Sequence, residues 1–206
     1  DFFGLADCNN FYCSCERVFH PDLRYKPVIV LSNNDGCVVA RSEESKKLGI
    51  KMGVPFYKIR DLVEKNNVAV FSSNYNLYGD MSRRVMSLLS SFFPKINIYS
   101  IDEAFIDLSE IEDIGCLVGI SHKAVKSINK GVGIPVSLGI APTKTLAKMA
   151  SVFAKKHKGY NGVCIIDTDE KREKALKLFP VGDVWGIGRK HSKRLEYYGV
   201  KTAWDF

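Results

Sequence analysis

Two short apolar runs, INIYSI (96–101) and AFIDL (104–108), are separated only by Asp102 and Glu103. Runs so close together read as two strands of a tight hairpin with both acids at its turn. Within a strand, neighbouring side chains point to opposite faces. At a hairpin tip both acids project from the same end of the sheet. The flanking segments fix the rest of the pattern. Upstream lie a first strand, FFGLAD, and a long amphipathic helix in NYNLYGDMSRRVMSLLSSFF, with Leu77, Met81, Val85, Leu88 and Leu89 on one face. Downstream come a helix across CLVGISHKAVKSINKGV, a strand VSLGIA, and a helix opened by Thr143 in TKTLAKMASVFAKK. Strand–helix–strand–strand–helix–strand is the order of a ferredoxin-like sheet, so an α+β fold is expected, mostly antiparallel, with helices on one face. In that fold the first strand lies beside the hairpin, which brings its terminal Asp7 to the same end as Asp102 and Glu103.

Residues 11–75 then form an insertion after the first strand. FYCSCERVF has helical apolar spacing, while KPVIVLSNN and CVVAR read as a buried hairpin turned by Asn33, Asn34, Asp35 and Gly36. SEESKKLG is a short helix capped by Ser42 and closed at Gly49. A further short helix follows Pro55, and VAVFS is a strand. After a last strand, GVCIIDT, the pattern from Asp167 onward is all helical, which puts a domain boundary near 167.

The 206 residues carry a net charge of +7 with a pI near 9.0. That balance favours phosphate-rich partners without establishing one. No apolar run approaches the ~18 residues of a membrane span, and no signal segment opens the chain, so a cytoplasmic protein is expected. The six cysteines include no C-x-x-C pair and read as free thiols rather than a zinc site. The chain starts at Asp1 without methionine and stops at Phe206 in mid-pattern, and reads as a piece of a longer protein.

Three converging carboxylates repel one another unless protons or cations neutralise them, and hard divalent ions with oxygen ligands do so well. Mg²⁺ is the expected occupant. Two such ions activate a hydroxyl nucleophile and hold a leaving pyrophosphate, the logic of nucleotidyl transfer. Spacing alone leaves a second reading open, in which two solvated acids sit at an exposed hairpin tip and Asp7 is unrelated.

The collinear stretches DCNNFYCSCERVF, NNDGCVVARSEESKKLG, SSNYNLYGDMSRRVM, SIDEAF, SLGIAPTKTLAKMASVFAKK and VWGIGRKHSKRLEYYGV together resemble a Y-family translesion DNA polymerase of the UmuC type. The resemblance implies a palm (1–10 and 76–166), inserted fingers (11–75) and a partial thumb (167–206), with a little finger absent from this chain. It implies that Asp7, Asp102 and Glu103 are the catalytic metal ligands, joined by the backbone carbonyl of Cys8, for two Mg²⁺ ions that Mn²⁺ can replace. Tyr12 matches the steric gate that excludes a ribose 2′-hydroxyl, and Phe11 precedes it in the nucleotide pocket. Gly36, Cys37 and Val39 match a small-residue roof over the nascent base pair. Lys155 matches a lysine that contacts the triphosphate.

The chain departs from the family on its fingers helix, where many members place Tyr and Arg. Here stand Glu43, which repels phosphate, and Lys46, which lacks the bidentate fork of arginine; Arg41 is the candidate to replace part of that function. DVWGIGRKHSKRLEYYG reads as a helix-hairpin-helix in which Gly186 and Gly188 let the backbone approach a DNA phosphate, with Arg189 and Lys190 adding charge and Leu195 and Gly199 at the family spacing. The implied activity is error-prone, template-directed DNA synthesis in DNA repair and the SOS response, in the bacterial cytoplasm, on primer-template DNA and dNTP. A UmuD-like subunit, a sliding clamp and a RecA-type recombinase are implied partners. This piece alone is expected to be weakly active or inactive. A nucleotidyl cyclase uses a similar sheet and acids but needs neither insertion nor helix-hairpin-helix, and a noncatalytic DNA-binding module leaves the three acids unexplained.

Overall fold

Eight strands and eight α-helices follow one another in the computed structural model, which describes residues 1–111 and 113–206. The strands are β1 (Phe3–Cys8), β2 (Val28–Leu31), β3 (Val38–Arg41), β4 (Ala69–Phe71), β5 (Ile96–Ile98), β6 (Glu103–Asp107), β7 (Val136–Ala141) and β8 (Val163–Ile165). The helices are α1 (Phe11–Phe19), α2 (Glu43–Lys47), α3 (Arg60–Lys65), α4 (Tyr75–Phe92), α5 (Ile114–Val132), α6 (Lys144–Lys156), α7 (Asp169–Leu178) and α8 (Arg189–Tyr197). The chain divides into two compact units. The first comprises Asp1–Asp7, Leu89–Lys126 and Val136–Phe206, and the second Cys8–Leu88 and Ser127–Pro135.

The first unit is built on a five-stranded sheet in the order β5-β6-β1-β7-β8. Its first four strands follow the order expected of the ferredoxin-like arrangement; β8 is added at the edge, parallel to β7. Strands β5 and β6 form the expected antiparallel hairpin, but β5 stops at Ile98 and Glu103 already opens β6, so the turn spans 99–102 and only Asp102 of the two acids lies in it. Strand β6 runs antiparallel to β1. Helix α6 begins where the Thr143 hydroxyl accepts from the Leu146 amide at 3.2 Å, and it buries Leu146, Ala147, Met149, Ala150 and Ala154. It lies directly on β7 because Gly139 has no side chain: a Cβ there would sit 2.1 Å from both the Ala147 carbonyl oxygen and the Ser151 nitrogen. The core beneath continues through Leu5, Phe105, Ala141, Cys164, Ile166 and Phe179.

In the second unit β2 pairs antiparallel with β3 and parallel with β4, over a core of Ile29, Leu31, Val38, Ile50, Val63 and Val68. Ser42 caps α2 as expected, and its buried hydroxyl accepts from both the Ser45 amide at 3.3 Å and the Val28 amide at 3.0 Å. Gly49 closes that helix with φ +82°.

Three further expectations are corrected. The single short helix after Pro55 is a 3-10 turn, Phe56–Lys58, followed by α3. The buried stripe of α4 runs through Tyr78, Met81, Val85, Met86 and Leu89, leaving Leu77 and Leu88 half-buried at its margin. The first half of the expected helix-hairpin-helix is one 3-10 turn, Val181–Asp183, entered from extended Pro180 and left through extended Val184. Only the second half, α8, is an α-helix. None of the six cysteines forms a disulfide, and no described helix is long and apolar enough to cross a membrane.

Candidate active site

Asp7 and Glu103 are direct cross-strand partners at the end of the β1–β6 ladder. Opposed residues of an antiparallel pair share a face with their Cβ atoms about 5 Å apart, and like charges in that position are destabilising. Asp102, one residue before β6, adds its field to both carboxylates, and its Oδ1 accepts from the Ser100 hydroxyl at 2.6 Å. Burial pushes the Asp7 carboxyl above the usual range for an aspartate, with Asp102 adding to the rise against the pull of Lys155. Glu103 is likewise raised, by burial first, while Lys148 opposes and Asp7 and Asp102 reinforce.

Positive charge for this pair comes from α6. Lys155 Nζ stands 3.3 Å from Asp7 Oδ1, and Lys148 Nζ stands 3.1 Å from Glu103 Oε1. The two lysines are seven residues apart, two helical turns, so they lie on one stripe. Lys144, four residues before Lys148, continues that stripe over the rings of Phe3 and Phe105. Among the described residues no three His, Cys, Asp or Glu side chains are arranged so that they close around an ion; the ammonium groups stand at the carboxylates instead.

Sequence reading named Lys155 and missed Lys148. The signal was present in the i, i+7 spacing within KTLAKMASVFAKK, but it becomes informative only once α6 is known to lie over the acids. Gly139 and Ser100 were missed for the same reason.

The remaining candidates of the first unit lie around α8. Gly186 has φ +91°, open to glycine and strained for other residues, and Gly188 is the N-cap of α8 with no side-chain cap bond. Its first amides are therefore available to an anion, and Arg189 and Lys190 are exposed there.

Apart from Lys155, the nucleotide-pocket candidates belong to the second unit. Tyr12, on the first turn of α1, stacks on Tyr78 of α4 with ring centroids 4.3 Å apart and 15° between planes, and Tyr75 meets it edge-on. Phe11 is buried beside it. Tyr78 is fixed in turn, because its hydroxyl donates to the buried Glu16 carboxylate at 2.7 Å. Val38 and Ala40 point into the core, so Cys37 and Val39, with period two, present the half-exposed face of the β3 segment. The two candidate phosphate-binding cations of this unit are engaged: Lys46 Nζ lies 2.6 Å from Glu43 Oε1 and 2.7 Å from Asn10 Oδ1, and Arg41 donates to the Ile50 carbonyl at 2.7 Å.

The impB/mucB/samB family model matches residues 6–152. The chain belongs to that family. Among curated impB/mucB/samB relatives, Protein UmuC of Salmonella typhimurium is 48% identical over 204 residues, covering 98% of this chain and 48% of UmuC. DNA polymerase IV of Picrophilus torridus is 34% identical over 206 residues, covering 98% of this chain and 57% of that protein. The chain thus spans about half the length of the curated relatives it matches. Of solved structures, DinB from Sulfolobus solfataricus superposes with a TM-score of 0.86 at 27% identity, over 98% of this chain and 58% of that one. The insertion ternary complex of Dbh DNA polymerase gives 0.85 at 27% identity, over 98% and 59%. Both neighbours share the mixed α+β character of this family member.

Proposed function

We propose that this chain contributes the catalytic portion of an error-prone, template-directed DNA polymerase of translesion synthesis, extending a primer 3′ end by nucleotidyl transfer with two Mg²⁺ ions. The observation that carries the reading is the cross-strand opposition of Asp7 and Glu103 with Asp102 beside them. Kinship with proteins named as DNA polymerases supports it.

The donor set fits hard divalent ions. It consists of carboxylate oxygens, and the Asp7 and Glu103 carboxyls, whose pKa values burial raises, each have a lysine ammonium beside them as the stand-in for added positive charge. Asp7, Asp102 and Glu103 would hold the ions, with the Cys8 carbonyl as a further ligand. Bound there, divalent ions supply Lewis-acid activation of the primer hydroxyl and charge neutralisation at the pyrophosphate. Lys155 has an ammonium free to turn to a triphosphate once Asp7 is otherwise engaged. Tyr12, held flat by Tyr78, is the surface against which a ribose 2′-hydroxyl clashes, and Phe11 backs it. Gly36, Cys37 and Val39 form a small-residue roof that relaxes base-pair shape selection, and Arg41 and Lys46 add charge for phosphate. Gly186, Gly188, Arg189 and Lys190 grip the DNA backbone without reading sequence.

Residues 1–10 and 76–166 act as palm, 11–75 as fingers and 167–206 as part of a thumb, in which a 3-10 turn and α8 flank the glycine turn. By kinship the full protein works in the bacterial cytoplasm, in the SOS response, with a UmuD-like subunit, a sliding clamp and a RecA-type recombinase. The deciding experiment is primer extension by the full-length protein with Asp102→Ala. Loss of activity by several orders of magnitude with the fold intact is expected, because each ~1.4 kcal/mol of lost charge stabilisation is a factor of ten. Near wild-type extension would remove the acids from the mechanism.

A further inference from the structure

Lys148 touches more than Glu103. Its Nζ also lies 5.0 Å from the ring centroid of Tyr99 and 5.2 Å from that of Trp185, inside cation–π range of both. The rings are set against each other at 88° with centroids 5.6 Å apart, and the Trp185 indole N–H donates to the Tyr99 hydroxyl at 3.3 Å. Phe105 backs both, at 5.4 Å from Tyr99 and 5.5 Å from Trp185. Tyr99 is 50% and Trp185 38% exposed. Two large aromatics held half in solvent by a hydrogen bond and a shared packing partner contribute less to a core than buried rings would. What they do is frame one ammonium.

We propose that Tyr99 and Trp185 form a receiving platform for the Lys148 ammonium, which shifts onto the rings when a divalent cation takes the Glu103 carboxylate, making Trp185 a positioning residue for that site. The inference rests on the metal reading above. Lys148 and an arriving ion compete for one carboxylate. With no other partner, the displaced ammonium would have to find water at a half-buried position, and ion binding would be penalised accordingly. The two rings offer it a second resting place within the reach of a small side-chain rotation. While the ammonium is paired with Glu103 its charge is shared, and the rings gain little from it. Once the carboxylate turns to the ion, the full charge falls on the rings and the cation–π attraction strengthens. Trp185 immediately precedes Gly186, so the turn that leads into α8 is tied through one side chain to the carboxylate end of β6.

The test is Mn²⁺ binding to the full-length protein, followed by loss of the free-ion electron paramagnetic resonance signal, in a double-mutant cycle. Glu103→Gln first identifies the Mn²⁺ site that depends on this carboxylate. Trp185→Ala is expected to weaken binding at that site about three- to tenfold, whereas Trp185→Phe, which keeps a ring under the ammonium, stays within about twofold of wild type. In a Lys148→Met background the same Trp185→Ala change is expected to have no effect. Equal weakening in both backgrounds would overturn the inference, since it would mark Trp185 as a packing residue only. So would no weakening in either background, with Glu103-dependent binding intact. If Glu103→Gln leaves Mn²⁺ binding unchanged, the metal reading and this inference fall together.

Discussion

Gly139→Ala is the most demanding test of how the acids and lysines come to face each other. The added Cβ would sit 2.1 Å from the Ala147 carbonyl oxygen and the Ser151 nitrogen and 2.7 Å from the Ala150 carbonyl carbon, all of them backbone atoms of α6. The shortest contact is about 1.4 Å inside the ~3.5 Å at which nonbonded heavy atoms sit comfortably. No rotamer relieves it, so helix and strand must separate. A gap of ~1 Å forfeits roughly a quarter to a half of the contact energy along the buried face of Leu146, Ala147, Met149, Ala150 and Ala154. Overpacking substitutions typically cost about 1–3 kcal/mol, and a clash with backbone belongs at or above the top of that range. With a urea dependence of ~2 kcal/mol per M, a loss of ~3 kcal/mol moves the unfolding midpoint down by ~1.5 M. Gly119→Ala is the matched control: exposed in α5, where an added Cβ meets nothing within 4 Å beyond its own stretch of helix backbone, it should gain up to ~1 kcal/mol from helix propensity. A midpoint loss below ~0.3 M for Gly139→Ala would refute the claim that α6 is seated on β7 through this glycine.

Three further outcomes are expected. Because the folded-state pKa values of Asp7 and Glu103 are raised, their contribution to stability is fully present below the unfolded values and is lost as pH rises through the folded ones. Asp7→Asn and Glu103→Gln should therefore melt higher than wild type at pH 7 in chelator, with the advantage vanishing below about pH 4; a gain that grows on acidification would contradict this. Tyr78→Phe strips the hydroxyl that donates to the buried Glu16 carboxylate and should lower stability by about 1–3 kcal/mol by urea denaturation; a change under ~0.5 kcal/mol would show that the bond is dispensable. Tyr12→Ala in the full-length protein should raise ribonucleotide incorporation relative to deoxyribonucleotide in single-nucleotide insertion assays, and an unchanged sugar preference would move the gate elsewhere, Phe11 being the next candidate.

Local grammar is written in the residue order. Strand alternation and helical spacing have fixed periods, so the β5–β6 hairpin, though not its turn, the long α4 and the order of the first four strands could be read directly. The caps at Ser42 and Thr143 were legible because a cap is satisfied within three residues. The two halves of the turn at Gly186 were less legible: extended Pro180 and Val184 limit the first half to a 3-10 turn, which helical composition does not reveal. Which side chains meet depends on long-range packing. The opposition of Asp7 and Glu103 depends on the β1–β6 register, and a slip of one residue would send one of them to the other face. Lys148 gains a role only because Gly139 lets α6 lie against β7, and Tyr12 is oriented only because Tyr78, 66 positions along the chain, stacks beneath it. Trp185 and Tyr99 are separated by 86 residues yet frame one ammonium. Such contacts carry no period in the sequence, since they arise from how elements far apart in the chain are packed, and packing is set by the whole core at once.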